Sequence, residues 1–266
     1  MNDDDKYLFD LNGYILIEEV LDQDEIAAAN EAIDRHLDRG KYRDRELTLA
    51  GGSPTLEGQI GRGDLGGMLG WDEPWCLPFR HMLTHPKLIP YLNEIMGRGF
   101  RMDHSMFLLW MDKGAEGCTL HGSSGPHFDP NQYYIFRDGR LHNGLSVASI
   151  QLTDVNPGDG GFVLILRSHK GNFACPDEMR RNLKYQEHIH QITCRAGDAV
   201  IFTAAVTHGT LPWTSDEPRR SIMTRYTAGN LAYVPAPPVP EWANDREPAV
   251  LQPPYHSRLD RPFLEA

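Results

Sequence analysis

The chain has 266 residues, with 26 Lys and Arg against 37 Asp and Glu for a formal charge of −11, and it is 40% hydrophobic and 24% charged. That balance describes a folded globular chain, not a collagenous or disordered one, and it lacks the basic excess of a nucleic-acid binder. No apolar run approaches the roughly 18 residues of a membrane span, and the opening Met1-Asn2-Asp3-Asp4-Asp5 is the opposite of a basic signal region, so a cytoplasmic protein without membrane partners is expected.

Tyr14–Ile17 reads as a short strand. Asp22 and Glu25 form a capping-box pair ahead of Ile26, Ala29, Ile33 and Leu37 at helical spacing, and Gly40 stops that helix. From Arg43 to Trp75 the chain is Gly-rich, without the Gly-Lys-Ser/Thr of a phosphate loop, and predicts a mobile lid or irregular surface loop. A second helix is expected from about Pro86 through Leu92 and Met96 to Gly97, with Pro90 shortening it. After residue 99 strands take over: Phe100–Trp110, Tyr133–Phe136, Leu145–Leu152, Phe162–Leu166, His188–Cys194, Ala199–Phe202 and Ser221–Tyr226. Turn signals such as Asp138-Gly139 and Asn156-Pro157-Gly158 separate them, the pattern of an antiparallel sandwich or barrel. Eight of the nineteen prolines lie from Pro235 onward and exclude regular helix or central strand there. The expected organisation is one domain over 1–266, mainly β with flanking α-helices. It divides into a helical flank with a Gly-rich loop (1–98), a β core (99–230) and an extended arm (231–266).

Cys76, Cys118, Cys175 and Cys194 stand too far apart for a zinc knot and too few for a disulfide framework. Chemistry is carried instead by the twelve histidines. His127 and Asp129, two residues apart, can face one point from a strand. His-x-Asp alone is a weak signal, but Ala199–Phe202 leads into His208-Gly209-Thr210, and Arg219 follows eleven residues after His208. Two His and one carboxylate make the facial triad suited to non-haem Fe(II), which leaves three positions for a 2-oxo acid and O2. An arginine nearby is the natural partner of a distal carboxylate, through its planar fork. Arg220 competes with Arg219 for that role, and Arg225 falls on the same strand face as Arg219 as a substrate-side or structural cation.

With these residues in place the chain resembles the phytanoyl-CoA dioxygenase family of Fe(II)/2-oxoglutarate-dependent oxygenases. The resemblance runs from the Leu11–Leu37 opening through His127-Phe128-Asp129 and Gly160–Gly171 to His208 and Arg219. The segment departs from the family pattern at Leu166-Arg167, where Pro-Gly is common. The resemblance implies a double-stranded β-helix (jelly roll, cupin-like). It also implies Fe(II), O2 and the co-substrate 2-oxoglutarate, with His127, Asp129 and His208 as catalytic metal ligands. Arg219 and Thr210 would hold 2-oxoglutarate, and the reaction would hydroxylate a C–H bond with release of succinate and CO2. Asp129 favours hydroxylation over halogenation, because halogenases on this fold carry a small residue in the carboxylate's place.

A small-molecule substrate is expected, in a pocket lined from the 50–75 segment, the 121–135 loop and the Trp213 loop. His121, Tyr133, Tyr134 and Trp213 are the candidate substrate contacts. The basic cluster Arg39, Lys41, Arg43 and Arg45 reads as a solvated helix end rather than a phosphate site. The rival readings are a cupin-type metalloprotein that uses no 2-oxoglutarate and a non-catalytic binding protein on the same fold. The oligomeric state is left open.

Overall fold

The computed structural model describes residues 1–43, 48–122, 128–255 and 260–265. In chain order the first elements are α1 (Asp3–Asn12), β1 (Tyr14–Ile17), α2 (Gln23–Asp34), β2 (Lys41–Tyr42), β3 (Gly63–Gly66), α3 (Leu77–Leu83), α4 (Ile89–Met96), β4 (Arg101–Met111) and β5 (Cys118–His121). Then come β6 (Tyr134–Arg137), β7 (Arg140–Asn143), β8 (Ser146–Gln151), β9 (Gly161–Ile165), α5 (Asp177–Arg180), β10 (Ile189–Gln191), β11 (Ala199–Thr203), β12 (His208–Leu211), β13 (Arg219–Thr227) and α6 (Pro248–Leu251).

The strands build a jelly roll. A large sheet has the order β1-β11-β8-β13-β4-β3-β2, a smaller one the order β10-β9-β12-β5, and β6 with β7 forms a separate hairpin. Val147 of β8, Val200 and Phe202 of β11 and Leu164 of β9 pack in one cluster between the two sheets. Ala199 and Ile201, one residue out of phase on β11, instead join Phe9, Ile26, Ile33, Phe79 and Leu92 beneath the helices. Both faces of β11 are thus buried, which is why Ala199–Phe202 reads as a continuous apolar run.

The capping box of α2 forms as its sequence requires: Glu25 N–H donates to Asp22 Oδ1 and Asp22 N–H donates to Glu25 Oε2, both at 2.9 Å. Helix α4 begins at Ile89 rather than near Pro86, shorter than the full span as expected, and Pro90 sits in its first turn, where no intrahelical donor is needed. The 1–98 segment is more than a helical flank, since β1 pairs with β11 and β3 with β4 at the margins of the large sheet. In the Gly-rich stretch, Gly63 is required by packing: a Cβ there would lie 1.8 Å from Cε2 of Trp110. The C-terminal arm wraps the body, and contrary to the expectation from its prolines it holds one short helix, α6, with Pro248 at its first position, where no intrahelical donor is needed. Arg101, ion-paired with Asp103 at 2.9 Å, also donates to the carbonyls of Leu231 and Gln252. Arg261 donates to the carbonyls of Gly99 and Pro253, and Val250 of α6 and Leu264 are buried. No helix among the described residues is long and apolar enough to cross a membrane.

After β9 the chain turns sharply. Arg167 holds φ at 69°, in the left-handed region where glycine is favoured. This is the position at which the chain departs from the Pro-Gly pattern. The next residue, Ser168, donates to Ile165 O and accepts from Thr207 N–H, each at 2.7 Å, which ties the turn to the entry of β12.

Two predictions follow from this packing. Left-handed backbone costs an L-residue roughly 1–2 kcal/mol, part of which glycine's extra unfolded-state entropy offsets. Arg167→Gly is therefore expected to raise unfolding free energy by about 1 kcal/mol in a urea titration; a decrease would contradict the strain argument. The second concerns His85, which is buried beside α2 and α3. Burial, reinforced by neighbouring His81, pulls its pKa from 6.5 down to about 4. Between those values the unfolded chain binds a proton that the folded chain does not, so stability falls as pH drops through that window. The urea midpoint should be lower at pH 5 than at pH 7. His85→Gln should flatten that slope without abolishing it, because His104 and His169 shift in the same direction. An unchanged slope in the variant would exclude His85 as a contributor.

Candidate active site

A cavity of about 330 Å³ lies between the two sheets. From the smaller sheet β12 contributes His208 and Thr210, and β9 contributes Phe162. From the larger sheet β13 contributes Arg219, Met223 and Arg225, while β8 and β11 contribute Val147 and Phe202.

His208 is centrally placed in the smaller sheet, opposite His121 on β5 and Leu164 on β9. Its Nδ1 lies 2.7 Å from Val206 O. A carbonyl can only accept, so Nδ1 carries the proton and Nε2 presents a lone pair. Burial, with His121 beside it, holds the His208 pKa at about 3, so the ring is neutral at physiological pH. A neutral imidazole with its other nitrogen anchored to a carbonyl is the form a metal requires. The His121 ring centroid lies 4.3 Å from that of His208, and its Nδ1 is 3.1 Å from Thr119 O. Phe202 and Phe162 flank His208 at 4.9 and 6.1 Å between centroids.

Arg219, at the head of β13 between β4 and β8, is only 2% exposed. Its Nη1 meets the Met111 sulfur at 3.5 Å, and its buried Nε has no hydrogen-bond partner among the described residues. Burial lowers its pKa to about 10, which leaves it charged at neutral pH. Cys194 supplies no counter-charge, because burial pushes its thiol up to about 12. Gly161 on β9 makes room for the guanidinium stem: a Cβ there would stand 3.3 Å from Arg219 Cδ. Arg220 points the other way. It donates to Asn30 at 2.9 Å and Asp34 at 2.5 Å on α2, outside the cavity. The two adjacent arginines, indistinguishable by type, are separated by strand alternation.

His127 lies outside the described residues, as does Arg45. Asp129 is half-buried; its Oδ1 accepts the Asn131 N–H at 2.8 Å and its carbonyl accepts from Gln132 N–H, a turn that delivers Gln132 to the cavity wall. Of the four expected substrate contacts, only His121 lines the cavity. Tyr133 packs on Phe128, with ring centroids 5.6 Å apart. Tyr134 turns toward α1, donating to Asp10 Oδ1 at 2.6 Å with its ring edge-on to His169. Trp213 is buried behind Arg219 among Leu109, Met111 and Val155, donating to Glu217 O at 2.8 Å. The Trp213 loop therefore contributes packing rather than lining. Arg62 and Gln132 line the cavity from the expected 50–75 and 121–135 segments, although neither stood out individually, and Cys118 on β5 lines it with no sequence signal.

One other grouping among the described residues, Glu25, His81 and His85, brings three ligand-type atoms within 4.8 Å of one another. His81 Nε2 lies 2.9 Å from Glu25 Oε1. Lys87 N–H donates to His85 Nδ1 at 3.3 Å, so neutral His85 keeps its proton on Nε2, the nitrogen facing Glu25. This is a hydrogen-bonded cluster on the helical side of the molecule.

No curated protein matches the chain by sequence. Among solved structures it is similar to HygX from Streptomyces hygroscopicus, crystallised with nickel and 2-oxoglutarate: TM-score 0.70, 17% identity, 87% of this chain and 89% of that one. It is also similar to SnoK, a non-haem α-ketoglutarate-dependent carbocyclase from nogalamycin biosynthesis, with TM-score 0.61, 16% identity and coverage of 86% and 85%. EctD from S. alaskensis, solved with 2-oxoglutarate and 5-hydroxyectoine, gives TM-score 0.60, 17% identity and coverage of 86% and 77%. At these identities the likeness is one of fold. The family model for phytanoyl-CoA dioxygenase (PhyH) matches residues 9–221. The chain belongs to the phytanoyl-CoA dioxygenase family, a family of iron- and 2-oxoglutarate-dependent enzymes.

Proposed function

We propose that this chain is a single-domain Fe(II)- and 2-oxoglutarate-dependent dioxygenase that hydroxylates a C–H bond of a small molecule. The observation that carries the reading is the buried Arg219 guanidinium, charged and with Nε unpartnered, in the same cavity as the free nitrogen of His208. An unpaired buried charge is expensive unless a ligand completes it. By residue type the donor set fits the group, since two imidazoles and a carboxylate suit non-haem iron; of the three, His208 lines the cavity, Asp129 is not among its lining residues, and His127 lies outside the described residues. His127, Asp129 and His208 would hold Fe(II), which with 2-oxoglutarate and O2 supplies the oxidising chemistry, yielding succinate, CO2 and hydroxylated product.

The chain's own residues prepare that chemistry. Val206 O holds His208 in one tautomer. Arg219 takes the distal carboxylate of 2-oxoglutarate in its fork, and the buried Thr210 hydroxyl, two residues from His208 on the same strand, helps to orient it. Phe162, Phe202 and Val147 exclude water from the reacting centre. Asp129 would supply the carboxylate of the set, and a carboxylate ligand would favour hydroxylation over halogenation. SnoK acts as a carbocyclase, so the fold alone admits other oxidations. Cys76, Cys118 and Cys194 are free thiols, in keeping with a reducing cytoplasmic setting.

Anaerobic titration of the Fe(II) protein with 2-oxoglutarate, followed by succinate measurement in air with candidate substrates, tests the reading. A charge-assisted pair is worth roughly 1.5–3 kcal/mol, so Arg219→Ala should weaken 2-oxoglutarate binding by about 10- to 150-fold. Arg220→Ala should change it less than about 2-fold, and His208→Ala should abolish turnover. Wild type that neither binds 2-oxoglutarate nor forms succinate would sink the reading; a larger effect at Arg220 would reassign the carboxylate partner.

A further inference from the structure

Two more guanidiniums line the cavity beyond Arg219. Arg62 enters just before β3, and Arg225 lies near the C-terminal end of β13. Arg225 donates no hydrogen bond and forms no ion pair among the described residues; its guanidinium carbon lies over the Phe107 ring, 5.3 Å from the centroid. Among the described residues, the carboxylates close enough to bear on it are Asp64 and Asp103. Both are committed elsewhere. Asp64 is shared by Arg43 at 3.0 Å and Arg62 at 3.3 Å. Asp103 is held by Arg101 and His104, each at 2.9 Å, and accepts the Tyr233 N–H at 3.0 Å. Arg62 thus has a partial counter-ion, whereas Arg225 is a half-buried cation without one among the described residues, in a chain whose net charge is −11.

Arg225 is placed apart from the co-substrate's arginine. Six residues of strand separate it from Arg219, about 20 Å between Cα atoms at strand rise. A five-carbon keto acid held at Arg219 does not extend to Arg225. The wall between the two is apolar, with Phe107, Leu109, Phe162 and Phe202 facing in. The volume, about 330 Å³, is at the small end of ligand pockets.

We propose that the primary substrate is a small carboxylic acid with an apolar body. Arg225 takes its carboxylate, with Arg62 beside it, and the aromatic walls hold the body toward His208. A planar carboxylate matches the guanidinium fork through two parallel hydrogen bonds, and one uncompensated cation calls for one negative charge. Arg225 is then a specificity residue: it selects acids over their neutral counterparts. The inference names the substrate class of the oxygenase reading above and rests on it.

The test uses benzoate and benzamide, isosteric probes that differ in charge. Calorimetric titrations are run on the Fe(II)-loaded protein under anaerobic conditions, with and without saturating 2-oxoglutarate. Wild type is expected to bind benzoate at least 10-fold more tightly than benzamide. Arg225→Gln should bring that ratio close to one, and Arg225→Lys, which keeps the charge, should retain part of it. Thermal melts of both variants verify the fold, and the Lys variant preserves the test if the Gln variant fails to fold. Equal affinities for the two probes in wild type would overturn the proposal. A preference that survives in Arg225→Gln would do the same, as would a loss confined to 2-oxoglutarate affinity in that variant. If wild type fails to bind 2-oxoglutarate, the oxygenase reading falls, and the probe ratio measured without it still decides whether Arg225 is an acid subsite.

Discussion

Arg219 carries a full positive charge into the space between two sheets, and the rest of the site is arranged around that burial. Removing a guanidinium from water costs several kcal/mol unless hydrogen bonds and a counter-charge replace the solvent. Among the described residues the protein meets this demand only in part: Nη1 makes a weak contact with the Met111 sulfur, Nε has no hydrogen-bond partner, and no ion pair forms. Deep burial also keeps the charge effective, since a low-dielectric surrounding weakens an incoming carboxylate's field far less than water does. The incomplete satisfaction of Arg219 is a cost to the folded chain that an anionic ligand would relieve, so binding and stability are linked at this residue.

The fold tolerates this because β13 is central in the large sheet. Antiparallel pairing with β4 and β8 on either side fixes its register and therefore the direction in which each side chain points. Residue parity then separates neighbours that composition cannot: Arg219 turns inward and Arg220 turns to Asn30 and Asp34 on α2. The facing strand, β12, needs more support, because His208-Gly209-Thr210 has little β propensity of its own. That support comes from β9 and β5 on its flanks and from Ser168, whose hydroxyl accepts the Thr207 N–H next to the metal-ligand candidate. Arg167 adopts its left-handed conformation in this turn. The strain there is tolerated because it brings Ser168 to bear on the β12 entry.

These features divide what sequence can and cannot show. Strands buried on both faces, such as Ala199–Phe202, announce themselves as apolar runs, and α2 announces itself by its capping box. Spacing isolated His208 and Arg219, because the strand–loop–strand between them is local. Helix α1 escaped notice because only Phe9 of its residues is fully buried; it is held by its Asn2–Asp5 capping box and by bonds from Tyr91 and Tyr134 to Asp5 and Asp10. Tyr134 turns away from the cavity for a reason that local sequence does not carry: its partner, Asp10, lies 124 residues away. Trp213 is legible as a large aromatic, but whether it walls a pocket or backs one depends on packing against Leu109 and Val155. Arg62 stood among glycines, of which Gly63 makes room for Trp110 and Gly61 for the Arg43 backbone.

The charge distribution gains meaning from this geometry. A net charge of −11 repels anions at long range, yet at physiological ionic strength that field decays over about 8 Å. What an anion meets inside the cavity is set by Arg219, Arg62 and Arg225, with Asp64 offsetting one of them. Surface and cavity thus act on different scales. The acidic exterior maintains solubility, and the cationic interior is screened less because it is desolvated. A triply cationic cavity would be a poor host for Fe(II) on its own. On the proposed reading, Asp129, the two carboxylates of 2-oxoglutarate and an acidic substrate would offset that charge. The cations would then couple the ligands electrostatically: each anion bound would lower the cost of holding a metal beside them.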